Sequence, residues 1–367
     1  MGSVTYEIAP DGDIELVLNK PNEQNIIPRL RLNAKVVDFD DSRFVTPTCE
    51  GRYAVFNKLY AKWNLAAADC KVHFRVSSHH LKLASRPFRK MLEGPWKEAS
   101  SSEPLRQINA TGWDVMAFVI VLDAIHGRHQ GIPKISNTGL VTRIATVIDY
   151  YECHDALYAY FDRWLTNNLS MIVLPSALYR KTLMCLYVAW VFSDEAKFNS
   201  VSQVVLRCSE GLSRIDTSDI PLGGLLERIE TERRDLLGCL FDKLDAVQTS
   251  LLKEKRCPGG HDSGCVCQTL GRLMRVRHKL ASDHHGPPEY PYDGYSIDEV
   301  LNLISDIEGP YVAGYSACNI ARRLHAVFDD VRMHMICYNR ARRVNDTLKL
   351  DEYRRRRKTN KGRIRDE

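Results

Sequence analysis

Cys257-Pro-Gly-Gly-His261-Asp-Ser-Gly-Cys265-Val-Cys267 places four soft ligands within eleven residues, on a glycine-rich stretch that could wrap a tetrahedral zinc ion. Structural zinc sites usually pair two arms on separate turns. The spacing C-x3-H-x3-C-x-C is compact and irregular, so a loop of reduced cysteines stands beside the zinc reading. This is the only ligand cluster in the sequence. His79-His80 and His284-His285 are adjacent pairs, and neighbours on a helix point about 100° apart, which suits solvated or capping histidines better than joint ligands. No P-loop, H-E-x-x-H, G-x-S-x-G or strand-borne G-x-G-x-x-G is present. Gly314-Tyr-Ser-Ala-Cys318 follows a nucleophile elbow only up to its last residue, which close packing requires to be glycine. A non-enzymatic protein is therefore expected, without a cofactor unless the cysteine stretch takes zinc.

A second chemistry-bearing segment lies at the end of the chain. Residues 340 to 367 hold 12 Lys+Arg against 5 Asp+Glu, a net +7, and the first 339 residues hold 39 against 41, a net −2. All the excess positive charge of the chain's +5 therefore sits in the tail. Arg340-Ala-Arg342-Arg343 and, ten residues on, Arg354-Arg355-Arg356-Arg357-Lys358 have the spacing of a bipartite nuclear-import signal, in which two tethered clusters engage two acidic grooves of an import receptor. A solvated, disordered tail is the alternative, and the same arm could hold nucleic-acid phosphates in a salt-sensitive way. Tyr338 and Tyr353 are its only aromatics, so base stacking is not indicated.

The remainder has an ordinary globular composition: 367 residues, 44% hydrophobic, with 15 Pro and 21 Gly. Such a length fits two or three domains and a core that needs no metal or disulfide. Val115 to Leu122 and Leu183 to Phe192 are the longest apolar runs, well short of the roughly 18 residues of a membrane span. The N-terminal residues carry no basic and apolar export signal, and Tyr6 replaces the Ser or Thr of an acylation signal. Eleven cysteines scattered through apolar segments fit a reducing compartment, nucleus or cytoplasm, in which the sequons at Asn109 and Asn168 carry no weight.

Several elements follow from pattern. Residues 13 to 18 form a strand after the Asp11-Gly12 turn signal, and residues 70 to 76 a second, with Val72, Phe74 and Val76 alternating against Lys71, His73 and Arg75. The span between them, about 22 to 68, is expected to be an insertion, partly ordered at Tyr53 to Trp63. Two short helices follow, His79 to Ala84 and one starting at Ser85-Arg86-Pro87. Thr111-Gly-Trp-Asp114 has capping-box spacing ahead of a helix from Val115 to His126, closed by Gly127. Helices are expected over Asn137 to Tyr151 and Ala156 to Leu165. Beyond residue 166 the chain is expected to be helical. Leu222, Leu226, Ile229, Leu236, Leu240, Leu244, Val247 and Leu251 trace an apolar stripe, interrupted for a coiled coil by Arg233, so a helix packed on its own domain is expected.

Phe74 through Leu92, with Gly94-Pro-Trp-Lys-Glu98 and Ile148-Asp-Tyr-Tyr-Glu-Cys-His154, closely resembles the BTB/POZ domains of filamentous fungi. The resemblance covers residues 11 to 20 and 70 to 165. It extends more weakly to Glu227 through Leu237, Cys267 through Leu273 and Ala317 through Leu324, which look like the helical half that often follows this domain. It implies an α+β BTB/POZ-like module with a three-stranded sheet clustered with helices over residues 1–165, an α-helical domain over 166–337 and a basic tail over 338–367. It also implies homodimerisation and the docking of protein partners, with Ile14, Leu16, Leu81, Phe88 and Met91 as candidate dimer residues. Trp96 and Glu98 resemble the step by which some such domains dock a cullin scaffold, as a large rigid anchor and an orienting charge. A Trp96 folded back on Met91 and Leu92 is the alternative. No membrane partner is expected.

Overall fold

Alternation at Val72, Phe74 and Val76 makes residues Lys71–Val76 a strand with one apolar face, and the strand lies second in a four-stranded mixed sheet. The computed structural model describes residues 3–32, 44–60, 70–93, 105–169, 178–255, 263–284 and 286–305. Within them, strands β1 (Ser3–Glu7), β2 (Ile14–Asn19), β4 (Lys71–Val76) and β5 (Arg106–Thr111) run in the order β1-β4-β2-β5. β4 pairs parallel to β1 and antiparallel to β2, and β2 pairs parallel to β5. The resulting register aligns Tyr6, Phe74, Leu16 and Ile108 in one row, and Val4, Val72, Leu18 and Ala110 in the next. All eight side chains are buried.

Helices α1 (Ser78–Ala84) and α2 (Arg86–Glu93) follow β4, and α3 (Val115–Ile125) follows β5. Every residue of α3 is buried, and Phe118 packs edge-on to Phe74 at 5.7 Å between ring centroids. Its N-cap is Asp114, whose carboxylate accepts from Ala117 N–H, so the expected capping box at Thr111 is corrected: Thr111 ends β5. A side-chain oxygen one residue before the helix satisfies a first-turn N–H directly. Helices α4 (Thr138–Tyr151) and α5 (Tyr158–Leu169) come next.

The helical half comprises α6 (Arg180–Val191), α7 (Glu195–Cys208), α8 (Gly223–Lys253), α9 (Ser263–Asp283) and α10 (Ile297–Ser305). α6 packs against α4 on one side and α7 on the other, so the apolar core continues from the sheet into this half. Arg207 makes a bidentate ion pair with Asp298, fastening α7 to α10 at 2.8 and 2.9 Å. The apolar stripe on α8 faces the core as expected, with Leu222, Leu226, Ile229, Leu236, Leu240, Leu244 and Leu251 buried. Arg233, which interrupts the heptad, is 0% exposed. It grips Glu230 through Nε at 2.8 Å and one terminal nitrogen at 2.7 Å, and donates to the carbonyls of Tyr292 and Tyr295.

Three expectations change. The sheet has four strands instead of three, because β1 adds an edge beside β4. The span expected as an insertion carries structural bonds along its described parts: Arg29–Leu30 (β3) pairs antiparallel with Ile215–Asp216 (β6) of the helical half. Asn25 and Asp219 exchange hydrogen bonds at 2.7 and 2.9 Å beside that pair. A 3-10 segment, Gly51–Leu59, covers α3 with buried Tyr53, Phe56 and Leu59. It serves the one carboxylate of that apolar helix. Asp123, 0% exposed, accepts from Tyr53 Oη at 2.8 Å and Tyr6 Oη at 3.4 Å and lies 3.4 Å from the Arg52 guanidinium. Burial pushes its carboxyl above the usual range, against the opposing pull of Tyr53 and Arg52.

The third change concerns the candidate dimer residues. Ile14, Leu16, Leu81 and Phe88 are 0% exposed and pack in the chain's own core. Phe88 stacks on Tyr151 at 4.3 Å. Because a buried side chain cannot meet a second copy without unfolding, any two-fold contact here belongs to their neighbours. Met91 is half-buried against the same core, and Leu83 on α1 is 73% exposed.

His126 closes α3 in a way that makes stability depend on pH. Its Nδ1 bonds the Leu122 carbonyl at 2.7 Å, and its Nε2 accepts from Ser77 N–H at 3.0 Å, at the turn between β4 and α1. Burial pushes its pKa down, since a charged ring would lose water and the Ser77 bond. A depressed histidine takes up its proton more readily in the unfolded chain. Stability is therefore complete above the ordinary value of about 6.5 and falls as the pH drops below it toward the lower folded value. Thermal melts from pH 8 to 5 are expected to show this loss, and His126→Gln should flatten it.

Candidate functional site

A cleft of about 480 Å³ lies at the seam between the sheet module and the helical half. It lies within the size range of small-ligand sites. Its walls come from five stretches distant in sequence: Glu23 and Gln24, Thr111 to Trp113, Thr146, Asp149 and Tyr150 on α4, Tyr187 on α6, and Asp219 with Pro221 before α8.

Local chemistry explains how each wall is held. Gly112, at φ +79°, turns the chain between β5 and α3, a conformation that glycine adopts without Cβ strain. Residues 22 to 24 clamp that turn: Asn22 N–H donates to the Trp113 carbonyl at 2.9 Å, Gln24 N–H to the Gly112 carbonyl at 3.0 Å, and Val115 N–H to Asn22 Oδ1 at 2.9 Å. Trp113 is thereby presented edge-on to Tyr150, with ring centroids 5.3 Å apart and planes at 64°. Gln24 Nε2 donates to Thr146 Oγ1 at 2.8 Å, while its Oε1 is buried and has no partner. Tyr187 Oη donates to Asp149 Oδ2 at 3.3 Å. Three carboxylates, Glu23, Asp149 and Asp219, thus stand with three aromatic side chains around one cavity, and among the described residues no Lys, Arg or His lines it.

None of the described residues singled out in the sequence as a candidate site lines this cleft. Trp96, Glu98, Cys257, His261 and the tail residues Arg342, Arg343, Arg354, Arg355, Arg356, Arg357 and Lys358 lie outside the described residues. Positions 265 and 267 fall within α9, where a loop was expected. Cys267 is exposed. Among the described residues no group of three or more His, Cys, Asp or Glu converges as a metal site. Of the paired histidines, His79 and His80 are exposed on α1, and His80 stacks on His126 at 5.0 Å. His284 pairs with Glu299 at 3.1 Å. The thiols of Cys153, Cys185 and Cys208 are each pushed up to about 12, chiefly by burial, which keeps them protonated and weakly nucleophilic at neutral pH.

The cleft was not foreseen because its components carry ordinary local roles. Trp113 stood within a capping pattern and Asp149-Tyr150 within an apolar helix. The one available signal was the polar-aromatic step Asp149-Tyr150-Tyr151 closing a helix otherwise buried on all sides.

The protein is an α+β chain with a small mixed sheet and many helices, and among its described residues no helix is long and apolar enough to cross a membrane. Compared with family models, with curated proteins and with solved structures, the chain matches none.

Proposed function

We propose that this chain is a non-enzymatic interaction scaffold of the BTB/POZ kind, which self-associates through the exposed side of α1 and α2. The sequence phrases from Phe74 to His154 support the family reading. So does the arrangement of β2, β4 and β5 with the α1–α2 pair following β4. The observation that carries self-association is Leu83, 73% exposed on a helix whose inner residue, Leu81, is anchored at 0%. A large apolar side chain held out on a rigid element is what a two-fold contact requires, since the same patch meets itself. The basic clusters at residues 340–358 have the spacing that an import receptor takes, which supports a nuclear scaffold.

Sedimentation at micromolar concentration is expected to give twice the mass of one chain, and Leu83→Asp to give one. A monomeric parent chain would remove the proposal. A second reading, substrate adaptor of a cullin-type ubiquitin ligase, is favoured by the Trp96-Lys97-Glu98 phrase alone. It requires that Trp96→Ala lose a cullin that the parent chain captures. A third, a nuclear nucleic-acid-associated regulator, has only the tail's charge behind it and requires DNA binding at low salt.

A further inference from the structure

We infer that the cleft between Trp113, Tyr150 and Asp219 is a binding site for a basic side chain, arginine or lysine, presented by a partner polypeptide. The inference deepens the interaction reading by naming what the partner must offer, and it does not depend on self-association.

Electrostatics selects the sign of the ligand. Glu23 and Asp219 line the cavity beside Asp149, and among the described residues no cationic side chain does, so a phosphate or carboxylate would meet like charges there. Glu23 has an ion-pair partner in Lys20 at 3.7 Å, but both are more than half exposed, and such a pair gives way readily. An apolar ligand fares no better, because it would strip water from the carboxylates without replacing the bonds. A bare metal ion needs three or more ligands converging within bonding distance, and the described residues hold no such group.

Shape selects an organic cation with an apolar stem. Trp113 and Tyr150 stand at 64° to one another, so together they offer both an edge and a face. An ammonium or guanidinium above an aromatic face is attracted by the ring quadrupole, while its methylene stem covers apolar surface. Guanidinium offers five donors in a planar fork and serves several acceptors at once, so arginine is preferred to lysine.

Position selects a polypeptide as the carrier. Thr111, on the cleft wall, is the last residue of β5, and β5 is an edge strand paired among the described residues with β2 alone. An extended segment added along that edge would bring one of its side chains to the cleft mouth, as in strand-addition recognition. Glu23 and Asp219, both exposed, stand at the mouth to receive it.

The test is calorimetric titration of the full chain with the capped tripeptide Ac-Ala-Arg-Ala-amide, and with its Gln counterpart. One arginine peptide per chain is expected to bind, more weakly as salt rises because the rim charges are exposed. Glu23→Gln combined with Asp219→Asn should lower affinity about tenfold, about 1.4 kcal/mol. Both residues are exposed, and asparagine at 219 keeps a side-chain oxygen that can accept from Asn25 N–H, so the fold is spared. Trp113→Leu should lower it further. Equal binding of the Gln peptide, no binding at about 10 mM, or affinity indifferent to the paired substitution would each overturn the proposal. Binding that appears only after Arg354 to Lys358 are replaced by Gln would also overturn it, by giving the cleft to the chain's own tail. A monomeric chain that binds the arginine peptide would sink self-association and leave this site standing.

Discussion

Arg233→Ala is expected to destabilise the fold by about 3–5 kcal/mol, the range found when one partner of a buried ion pair is removed. The side chain is 0% exposed and its guanidinium serves five acceptor contacts: two on Glu230, and the carbonyls of Pro291, Tyr292 and Tyr295. Alanine leaves a cavity and takes the Arg233 donor from the buried Tyr295 carbonyl. Glu230, 4% exposed, keeps among the described residues the donor Arg234 at 2.7 Å. Whole-chain stability in the usual range of 5–15 kcal/mol would lose a large share. Urea denaturation at pH 7 measures the loss. Arg233→Met with Glu230→Leu should recover much of it, because the pair's desolvation cost disappears with the pair. A single substitution costing under about 1 kcal/mol would show that Arg233 is not the anchor of the Pro291–Tyr295 loop.

Gly139→Ala should cost about 3 kcal/mol, the upper part of the range for overpacking. A Cβ at position 139 would lie 2.0 Å from the Phe44 carbonyl oxygen, and a backbone atom cannot step aside as a flexible side chain can. That approach is held from both ends. Arg143 donates to the Phe44 carbonyl at 2.6 Å, Asn137 to the Val45 carbonyl at 2.8 Å, and Thr46 Oγ1 to Asp114 Oδ2 at 2.7 Å. Alanine must push residues 44–46 off α4 and break one or more of these bonds. Thermal melting with Gly139→Ala beside Gly223→Ala, where nothing lies within 4 Å of the added Cβ, isolates the clash from the ordinary glycine effect. Equal melting of the two variants would mean that the segment is free to move away.

Much of the element order was legible because it rests on local periodicity. β2 and β4 lie within one residue of the expected strands, and α3, α4 and α8 lie where apolar runs or stripes require helices. β1 and β5 escaped notice. In Arg106–Thr111 the inward positions hold only Ile108 and Ala110, too little apolar contrast to announce a strand. Arg233 was misleading in a different manner: a charge in an apolar stripe argued against a coiled coil, correctly, but its own burial depends on Glu230 and on a loop some sixty positions away. The long span after β2 looked like a decoration because its bonds are to α3, α4 and β6, none of which is near it in sequence.

The amino-acid order alone determined strands β2 and β4 and most of the helices, that the excess positive charge gathers from residue 340 on, and which phrases resemble a docking module. These are properties of neighbours, set by alternation, helical period and composition. Tertiary structure decided which apolar side chains are left over for a partner. Ile14, Leu16, Leu81 and Phe88 are consumed by the core, while Leu83 is left outside. It also decided that Glu23, Trp113, Asp149, Tyr187 and Asp219 share one cavity. The reason is that burial and convergence depend on pairings between residues up to about two hundred positions apart, such as Asn25 with Asp219, and no local pattern encodes them.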